Sequence, residues 1–462
     1  MTDDPNQSDD EATGGATAGE RRPDPRLRLT ERTQVELILD SVPEARAFPP
    51  NWREDEAGVQ YLYRESSIVV RDWHRDRVLR VLPGLFRDQQ PRTIDVVDVV
   101  AGATRITWTG VETGPSVQEV VRGLGRLVGE KVATPDHLLY VCAVQCCAAT
   151  EPELPGVSEP YPPVPVDGAG GDPRKGRGQG VHVLVMDTGL VEGAAVDHSW
   201  LRGVTGEDDH PYVPDPSLPD RLAPDAGHGT FVAGCVRVTA PGAEVRVVNA
   251  AALLSLGADD SPPVAAVFET DLAQLVRTHL VAAAGEPPRQ VPDILVINFA
   301  GATAEGDPPL SFSALYDDLL QHLGELLILA PAGNEGDERK NWPAAFDWVV
   351  SVGALDHTRL RRAPWSNHGR TVDVYAPGDR LVNAYAKGTF VYAWEGAQGQ
   401  ATFDGMARWS GTSFATPLVA GLVASRMSTT GQRSRRAWGA LEDLADQQAL
   451  LGVGPVLYPG QE

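Results

Sequence analysis

Cysteine is scarce in this sequence and unevenly placed. Among 462 residues there are four cysteines: Cys142, Cys146 and Cys147 lie together, and Cys235 stands alone. This distribution excludes a disulfide framework, which needs several spaced pairs. The C-x-x-x-C-C cluster raises the alternative of a metal site, but no fourth ligand lies nearby at a recognisable spacing. We therefore interpret the cysteines as small buried hydrophobes and predict no metal ligands.

Positive charge is also in deficit, and long apolar runs are missing. There are 40 Lys and Arg against 63 Asp and Glu, which gives a net charge of −23. Nucleic acid and anionic membranes would repel such a surface, so neither is expected as a partner. No apolar run approaches the ~20 residues of a transmembrane helix. The first residues lack the basic and apolar regions of a secretory signal, so we expect a cytoplasmic protein.

Composition divides the chain into four parts. Residues 1–33 are rich in Asp, Glu, Gly and Thr and predict a disordered acidic tail. Residues 34–150 contain strand-like and helix-like patterns and predict a small α+β domain. Residues 151–180 are rich in Pro and Gly, which is typical of a linker without regular packing. The rest, residues 181–455, predicts a large α/β domain.

In this large domain, short apolar runs alternate with helical periodicity. The helical stretches are Asp271–Ala284 and Ser311–Leu323. The apolar runs are Val181–Met186, Ile294–Ile297, Leu326–Leu329 and Trp348–Val352. Alternating strands and helices predict a parallel sheet covered on both faces. In such sheets reactive groups gather at the carboxyl ends of the strands.

A D-T-G motif, Asp187 to Gly189, directly follows the first of these apolar runs. Its carboxylate could orient a histidine, although an Asp that opens a tight turn is a common alternative. D-T-G is also the signature of aspartic proteases, whose chemistry needs two carboxylates that share a proton. This chain contains one D-T-G and no D-S-G, which argues against a single-chain aspartic protease.

Three further motifs place polar side chains beside glycines. His228 in GHGTFVAG and Ser413 in GTSFATPLVAG each stand at the start of a predicted small-residue helix. A helix N-terminus favours developing negative charge, but a lone His is often structural and Ser is a common helix cap. Asn334 in PAGNEG follows the strand Leu326–Leu329. It is either a turn residue or an oxyanion donor.

In the order Asp187, His228, Asn334, Ser413, these motifs resemble those of the subtilisin-like serine proteases, the subtilases. The resemblance covers about residues 181–448 and implies a three-layer α/β fold with a mostly parallel sheet. It implies a serine endopeptidase that acts on peptide or protein substrates. Ser413 would be the nucleophile, His228 the general base and acid, and Asp187 the group that orients His228. Asn334 would bind the oxyanion.

The same resemblance indicates where a substrate would bind. The family's substrate-binding strand often contains Ser-Leu-Gly, whereas here the corresponding stretch begins with Phe299, Ala300 and Gly301. With Ala332 and Gly333, these are the expected substrate-binding residues. The departure leaves the residue preference beside the cut unpredicted. Subtilases commonly bind calcium, but the sequence contains no calcium-site motif, and we predict no cofactor.

Two alternatives stay open at this point. A subtilase fold without activity would serve as a peptide-binding or scaffold protein, although the intact motif residues speak against this. The domain at residues 34–150 resembles subtilase propeptides only loosely, because it is longer. It is either a removable inhibitor of the active site or a permanently attached recognition domain.

Overall fold

The structure is a computed structural model. The predicted tail 1–33 and the three clustered cysteines lie outside the residues that it describes. The described residues are 34–55, 57–86, 89–141, 150–164, 176–251, 264–282, 290–392 and 399–460.

The N-terminal unit is an α+β domain, as predicted. Its strands are β1 (Ala45–Phe48), β2 (Tyr61–Arg71), β3 (Thr93–Val100), β4 (Ala103–Thr109) and β5 (Ala133–Val141). Its helices are α1 (34–41), α2 (Asp72–Val81) and α3 (Val117–Leu127), with a 3₁₀ turn at Leu82–Leu85. The antiparallel strands run in the order β5-β2-β4-β3, with β1 beside β2. Helix α3 begins with a capping box between Ser116 and Glu119 and buries its apolar side in this unit.

The large domain is built on a seven-stranded parallel sheet in the order β14-β13-β12-β10-β6-β8-β7. Every residue of β10, β12, β13 and β14 is buried, which is why these strands read as unbroken apolar runs. The strands are β6 (His182–Asp187), β7 (Thr205–Gly206), β8 (Glu244–Asn249), β10 (Ile294–Ile297), β12 (Leu327–Pro331), β13 (Val350–Leu355) and β14 (Val374–Pro377).

Helices flank this sheet. They are α4 (Ala194–Asp197), α5 (His228–Thr239), α6 (Glu269–Leu280), α7 (Leu310–Asp318), α8 (Thr412–Thr430) and α9 (Ser434–Gln447). Short 3₁₀ turns lie at Ser199–Leu201, Ala304–Gly306 and Leu320–His322. The helix predicted at 311–323 therefore ends early and continues as a 3₁₀ turn. Helices α6 and α7 pack against each other and contact the sheet of the N-terminal unit.

Helices α5 and α8 pack directly against each other, and a glycine stands at their contact. A Cβ atom on Gly421 of α8 would lie 1.8 Å from Thr239 Oγ1 and 2.6 Å from the carbonyl oxygen of Val236. Since α5 begins at His228 and Ser413 is the second residue of α8, this contact holds the two predicted catalytic side chains on neighbouring helices.

A β-hairpin precedes α8, and part of the expected linker packs against it. Its strands are β15 (Leu381–Val391) and β16 (Gln400–Trp409). Within 150–164, the N–H of Glu153 donates to the Arg408 carbonyl and the N–H of Tyr161 to the Val382 carbonyl, each at 2.8 Å. Residues 151–164 form no helix or strand, yet they pack against the hairpin because backbone groups at its edges offer hydrogen-bond partners.

Strand β5 connects the two domains through one continuous sheet. Besides β2, it pairs antiparallel with two short strands of the large domain, β9 (Ala266–Phe268) and β11 (Phe299–Ala300). The N-terminal unit is thus joined to the large domain by backbone hydrogen bonds as well as by side-chain packing.

Candidate active site

Asp187 and His228 meet at the carboxyl end of the central sheet. Asp187 is the last residue of β6, His228 is the first residue of α5, and both side chains are fully buried. His228 Nδ1 donates to Asp187 Oδ1 at 2.7 Å, and the Thr188 N–H donates to the same oxygen at 2.8 Å. Because Nδ1 carries the proton, Nε2 is the ring nitrogen that can accept one from a nucleophile.

Ser413 lies in the first turn of α8, close to the imidazole. The ring of Phe414, the next residue, is 5.0 Å from the His228 ring, and the Trp409 ring is 5.5 Å away. In the part of the chain that the structure describes, Ser413 Oγ and His228 Nε2 are both buried without a hydrogen-bond partner. The structure thus joins Asp187 and His228 directly, while Ser413 Oγ makes no hydrogen bond to the ring. Catalytic hydrogen bonds often tighten only when substrate binds.

Asn334 lies beside the same helix terminus. Its Oδ1 accepts hydrogen bonds from the Thr412 N–H at 2.9 Å and from Thr412 Oγ1 at 2.8 Å. Thr412 immediately precedes Ser413, so the Asn334 amide is oriented by the residue next to the predicted nucleophile. The structure brings Asn334 to the N-terminus of α8, which was the expected place for an oxyanion donor.

Ala332 and Gly333 lie in the loop that leads from β12 to Asn334. The Ala332 carbonyl accepts hydrogen bonds from the side-chain amides of Asn341 at 3.3 Å and Asn367 at 3.1 Å. Gly333 has a φ of +105°, and a Cβ atom there would collide with the Asn341 amide. These contacts define the conformation of the loop next to the predicted oxyanion donor.

Phe299 and Ala300 form β11, and their backbone is already paired. They lie opposite Val141 and Tyr140 of β5. Gly301 follows and exchanges two backbone hydrogen bonds with Trp342. All three predicted substrate-strand residues are buried. The strand expected to bind substrate is therefore paired with β5, a strand of the N-terminal unit.

Sequence reasoning missed two acids beside His228, the buried Asp209 and the half-buried Asp225. Asp209 Oδ2 accepts the Gly227 N–H at 2.7 Å. Burial, reinforced by the neighbouring Asp225, raises the pKa of Asp209 well above its ordinary value. Burial also raises the pKa of Asp225 to about 6, partly opposed by its hydrogen bonds and by His228. No spacing in the sequence marks these residues, because their burial arises from remote segments.

A third missed residue is Asn298, which contacts Asp187. It directly follows β10, so the available signal was a polar side chain at the carboxyl end of an apolar strand.

Within the described ranges, no group of three or more His, Cys, Asp or Glu side chains is arranged to hold a metal ion. Over the same residues, no helix combines the length and apolar character needed to cross a membrane.

Known proteins share both the sequence pattern and the fold. The subtilisin-like protease 2 sequences of Arthroderma otae and Trichophyton tonsurans are each 28% identical to this chain, over 256 and 257 residues. These alignments cover 54% of this chain and 50% and 51% of the relatives, so the chain spans about half the length of the curated relatives it matches.

The crystal structure of fervidolysin from Fervidobacterium pennivorans, a keratinolytic enzyme related to subtilisin, has a similar fold. Its TM-score is 0.53 at 16% identity, over 86% of this chain and 60% of that one. The model of the subtilase family matches residues 178–444, more than half of the chain and the part that contains the parallel sheet. The chain therefore belongs to the subtilase family.

Proposed function

We propose that this protein is a serine endopeptidase that hydrolyses peptide bonds through an acyl-enzyme intermediate. The observation that carries the proposal is the 2.7 Å hydrogen bond from His228 Nδ1 to Asp187, with Ser413 in the first turn of the adjacent helix. Membership of the subtilase family and relatives named as proteases support the same reaction. We propose that the substrates of the whole protein are peptides or proteins.

In this reaction Ser413 Oγ attacks the scissile carbonyl carbon and passes its proton to His228 Nε2. Asp187 keeps the imidazole in the tautomer with the proton on Nδ1 and stabilises the imidazolium that forms. The tetrahedral intermediate collapses when Nε2 gives the proton to the leaving amine, so the peptide C–N bond breaks and an ester on Ser413 remains. Water, deprotonated by the same nitrogen, then hydrolyses the ester and restores Ser413.

The oxyanion would be stabilised by the Asn334 amide and the backbone N–H of Ser413. The carbonyl end of the Asn334 side chain faces Thr412, which supports the assignment of its Nδ2 as the donor. In the first turn of α8 the Thr412 N–H donates to Asn334, and the N–H groups of Phe414 and Ala415 donate to the Gly411 carbonyl, so we assign the Ser413 N–H to the oxyanion. Such preorganised donors stabilise charge that develops only in the transition state.

Substrate would bind as an extended strand between β9 and β11. Both short strands pair antiparallel with β5, so the backbone edges that face β5 suit an extended peptide. Leu139 and Val141 pack into the core of the large domain, whereas Leu138 packs against Ala266 and Phe268. This alternation is what a strand lying in a cleft produces.

The same contacts support intramolecular inhibition by the N-terminal unit. A peptide cannot pair with β9 and β11 while β5 occupies them, so an intact N-terminal unit would compete with substrate. The location of the protein and the absence of a cofactor stay predictions, as does removal of the N-terminal unit.

The activity is tested by labelling the full chain with a fluorophosphonate probe, beside a Ser413→Ala variant. We expect labelling of the wild type and none of the variant, together with Ser413-dependent cleavage of a peptide library. Absence of labelling both in the folded wild type and in a folded variant with β5 displaced by mutation would instead favour a peptide-binding or scaffold role.

Intact mass of the two purified chains separates the roles of the N-terminal unit. A shorter product that forms only when Ser413 is present supports a removable inhibitor. A full-length chain with full activity supports a permanently attached recognition domain and contradicts the inhibition proposal.

A further inference from the structure

One buried amide connects the carboxylate and the nucleophile of the proposed site. Asn298 is fully buried between β10 and β11. Its Nδ2 donates to Asp187 Oδ2 at 2.8 Å and to the Ser413 carbonyl oxygen at 3.2 Å. Its own N–H donates to the Met186 carbonyl at 3.1 Å, which holds its backbone beside the residue preceding Asp187.

With Asn298, three N–H groups converge on the Asp187 carboxylate from different elements. Thr188 and His228 both donate to Oδ1, and Asn298 donates to Oδ2. A buried carboxylate is costly unless its oxygens have hydrogen-bond partners. The Asn298 bond defines the rotation of the carboxylate plane, since it holds the one oxygen that the other two donors do not contact.

The remaining polar atom of Asn298 shows what orients this side chain. Its Oδ1 is buried and has no hydrogen-bond partner among the described residues, so the side-chain hydrogen bonds to Asp187 and Ser413 are both made by Nδ2. The carbonyl of this amide has no partner, while its nitrogen contacts both Asp187 and Ser413. The two contacts of Nδ2 therefore determine the orientation of the side chain. Asn298 also immediately precedes β11, the proposed substrate strand.

We propose that Asn298 is a positioning residue for catalysis. Its bond to Asp187 Oδ2 holds the carboxylate so that Oδ1 faces His228 Nδ1, and its bond to the Ser413 carbonyl fixes the carboxylate relative to the first turn of α8. The inference rests on the proposed peptidase function and deepens it. Asn298 would act through Asp187 rather than on the substrate, so it should affect turnover more than substrate binding.

Asn298→Leu leaves the ionisable groups that surround His228 unchanged, whereas Asn298→Asp adds one carboxylate to them. Asp187 is its direct partner, and Asp225 and Asp209 are the other carboxylates near this site. A change in the pH profile on substitution of Asn298 therefore reports on the contact between Asn298 and Asp187.

Asn298→Leu keeps the size of the side chain but removes the donor, and Asn298→Asp replaces the donor with a second carboxylate. We expect kcat to fall about ten- to hundredfold in the Leu variant, with KM nearly unchanged, because a hydrogen bond to a charged group is lost. The acidic limb of the pH–rate profile should move to higher pH in both variants, and further in the Asp variant. A carboxylate that has lost a donor, or gained a negative neighbour, holds the proton on His228 more strongly.

Asn383→Leu is the matched control, since Asn383 is equally buried but lies on β15. There it accepts a hydrogen bond from Trp200 and contacts Cys235. This variant should lose stability without a shift of the pH profile. A second readout does not need activity. It is the far-downfield NMR signal of the proton between His228 and Asp187, recorded on chains that also carry Ser413→Ala. It should weaken or disappear with Asn298→Leu and persist with Asn383→Leu.

A folded Asn298→Leu variant with the wild-type pH profile and an unchanged downfield resonance would overturn the inference. If the Leu variant does not fold, the Asp variant, which keeps the shape of the side chain, answers the same question. Failure of the fluorophosphonate probe to label both the wild type and a chain with β5 displaced by mutation would overturn the proposed function instead, so the two failures are distinguishable.

Discussion

His137 and Glu269 form a buried hydrogen-bonded pair across the contact between the N-terminal unit and the large domain. His137 Nδ1 donates to Glu269 Oε1 at 2.8 Å, and His137 Nε2 accepts the Ala304 N–H at 3.0 Å. The other Glu269 oxygen accepts the Ser311 hydroxyl at 2.5 Å. Removal of either side chain would deprive a buried atom of the other, Glu269 Oε1 or His137 Nδ1, of this hydrogen bond, which costs more than the loss of an exposed pair.

We predict that His137→Leu weakens the docking of β5 and increases the labelling rate of Ser413 in the full chain about tenfold or more. The measurement is the fluorophosphonate labelling rate at matched protein concentration. Asp317→Asn is the control, because it removes the surface ion pair with Arg71, in which Asp317 is 61% exposed. Equal labelling rates in wild type and His137→Leu would contradict a role of this contact in inhibition.

A pH-dependent stability is expected from Asp136, the neighbour of His137. Burial raises the pKa of Asp136 from 3.8 to about 6, although Arg64 at 3.1 Å opposes the shift. Because the folded pKa exceeds the unfolded one, the folded chain holds the extra proton, and this contribution to stability is lost as pH rises from about 4 to 6.

The measurement for Asp136 is urea unfolding of Ser413→Ala chains with and without Asp136→Asn. The stability of the chain with Asp136, relative to the Asn variant, should fall across this range by at most about 3 kcal/mol. Asp225 is present in both chains, so its own titration cancels. A difference that stays constant with pH would refute the prediction.

Gly301 should control access to the cleft. A Cβ atom there would lie 2.9 Å from the Leu138 carbonyl oxygen and 2.9 Å from Leu139 Cδ2. If substrate binds where β5 lies, Gly301→Ala must disturb the binding of both β5 and the substrate peptide. We expect faster labelling of Ser413 by the small probe, because β5 is displaced, together with a raised KM for peptides. Weaker inhibition by β5, seen as faster labelling, together with an unchanged KM would show that β5 and substrate follow different paths.

Replacement of Asn334 should reduce turnover without preventing binding. We expect Asn334→Ala to lower kcat about 10²- to 10³-fold, the magnitude known for the oxyanion asparagine of subtilisin, with little change in KM. Steady-state kinetics on a cleaved peptide measures both values. A large rise in KM at constant kcat would assign Asn334 to ground-state binding instead.

The contact between α5 and α8 should be intolerant of added volume. Gly421→Ala places a methyl group against Thr239 and Val236, so the helices that carry His228 and Ser413 must separate. We expect a loss of stability of about 1–3 kcal/mol and a lower kcat. Gly439→Ala is the control: it lies in α9 with no atom within 4 Å of the added carbon, and should be neutral or slightly stabilising. Equal melting temperatures for both variants would contradict the prediction.

The sequence by itself determined the local elements of the large domain. Apolar runs predicted β6, β10, β12 and β13, since buried parallel strands carry few polar residues. Small-residue motifs predicted that His228 and Ser413 begin helices. The order of the motifs indicated the subtilase family, which the family comparison confirms. These features depend on neighbours in the chain, so periodicity and composition were sufficient.

Only the tertiary structure decided which remote groups meet. The pairing of β5 with β9 and β11 depends on open backbone hydrogen-bond positions more than a hundred residues away along the chain. The contact of Asn298 with Asp187 and the raised pKa of Asp225 arise from burial among segments that no spacing relates. Side-chain periodicity determines the face that a strand buries. The edge that it joins, and the charges that it excludes from water, are properties of the assembled fold.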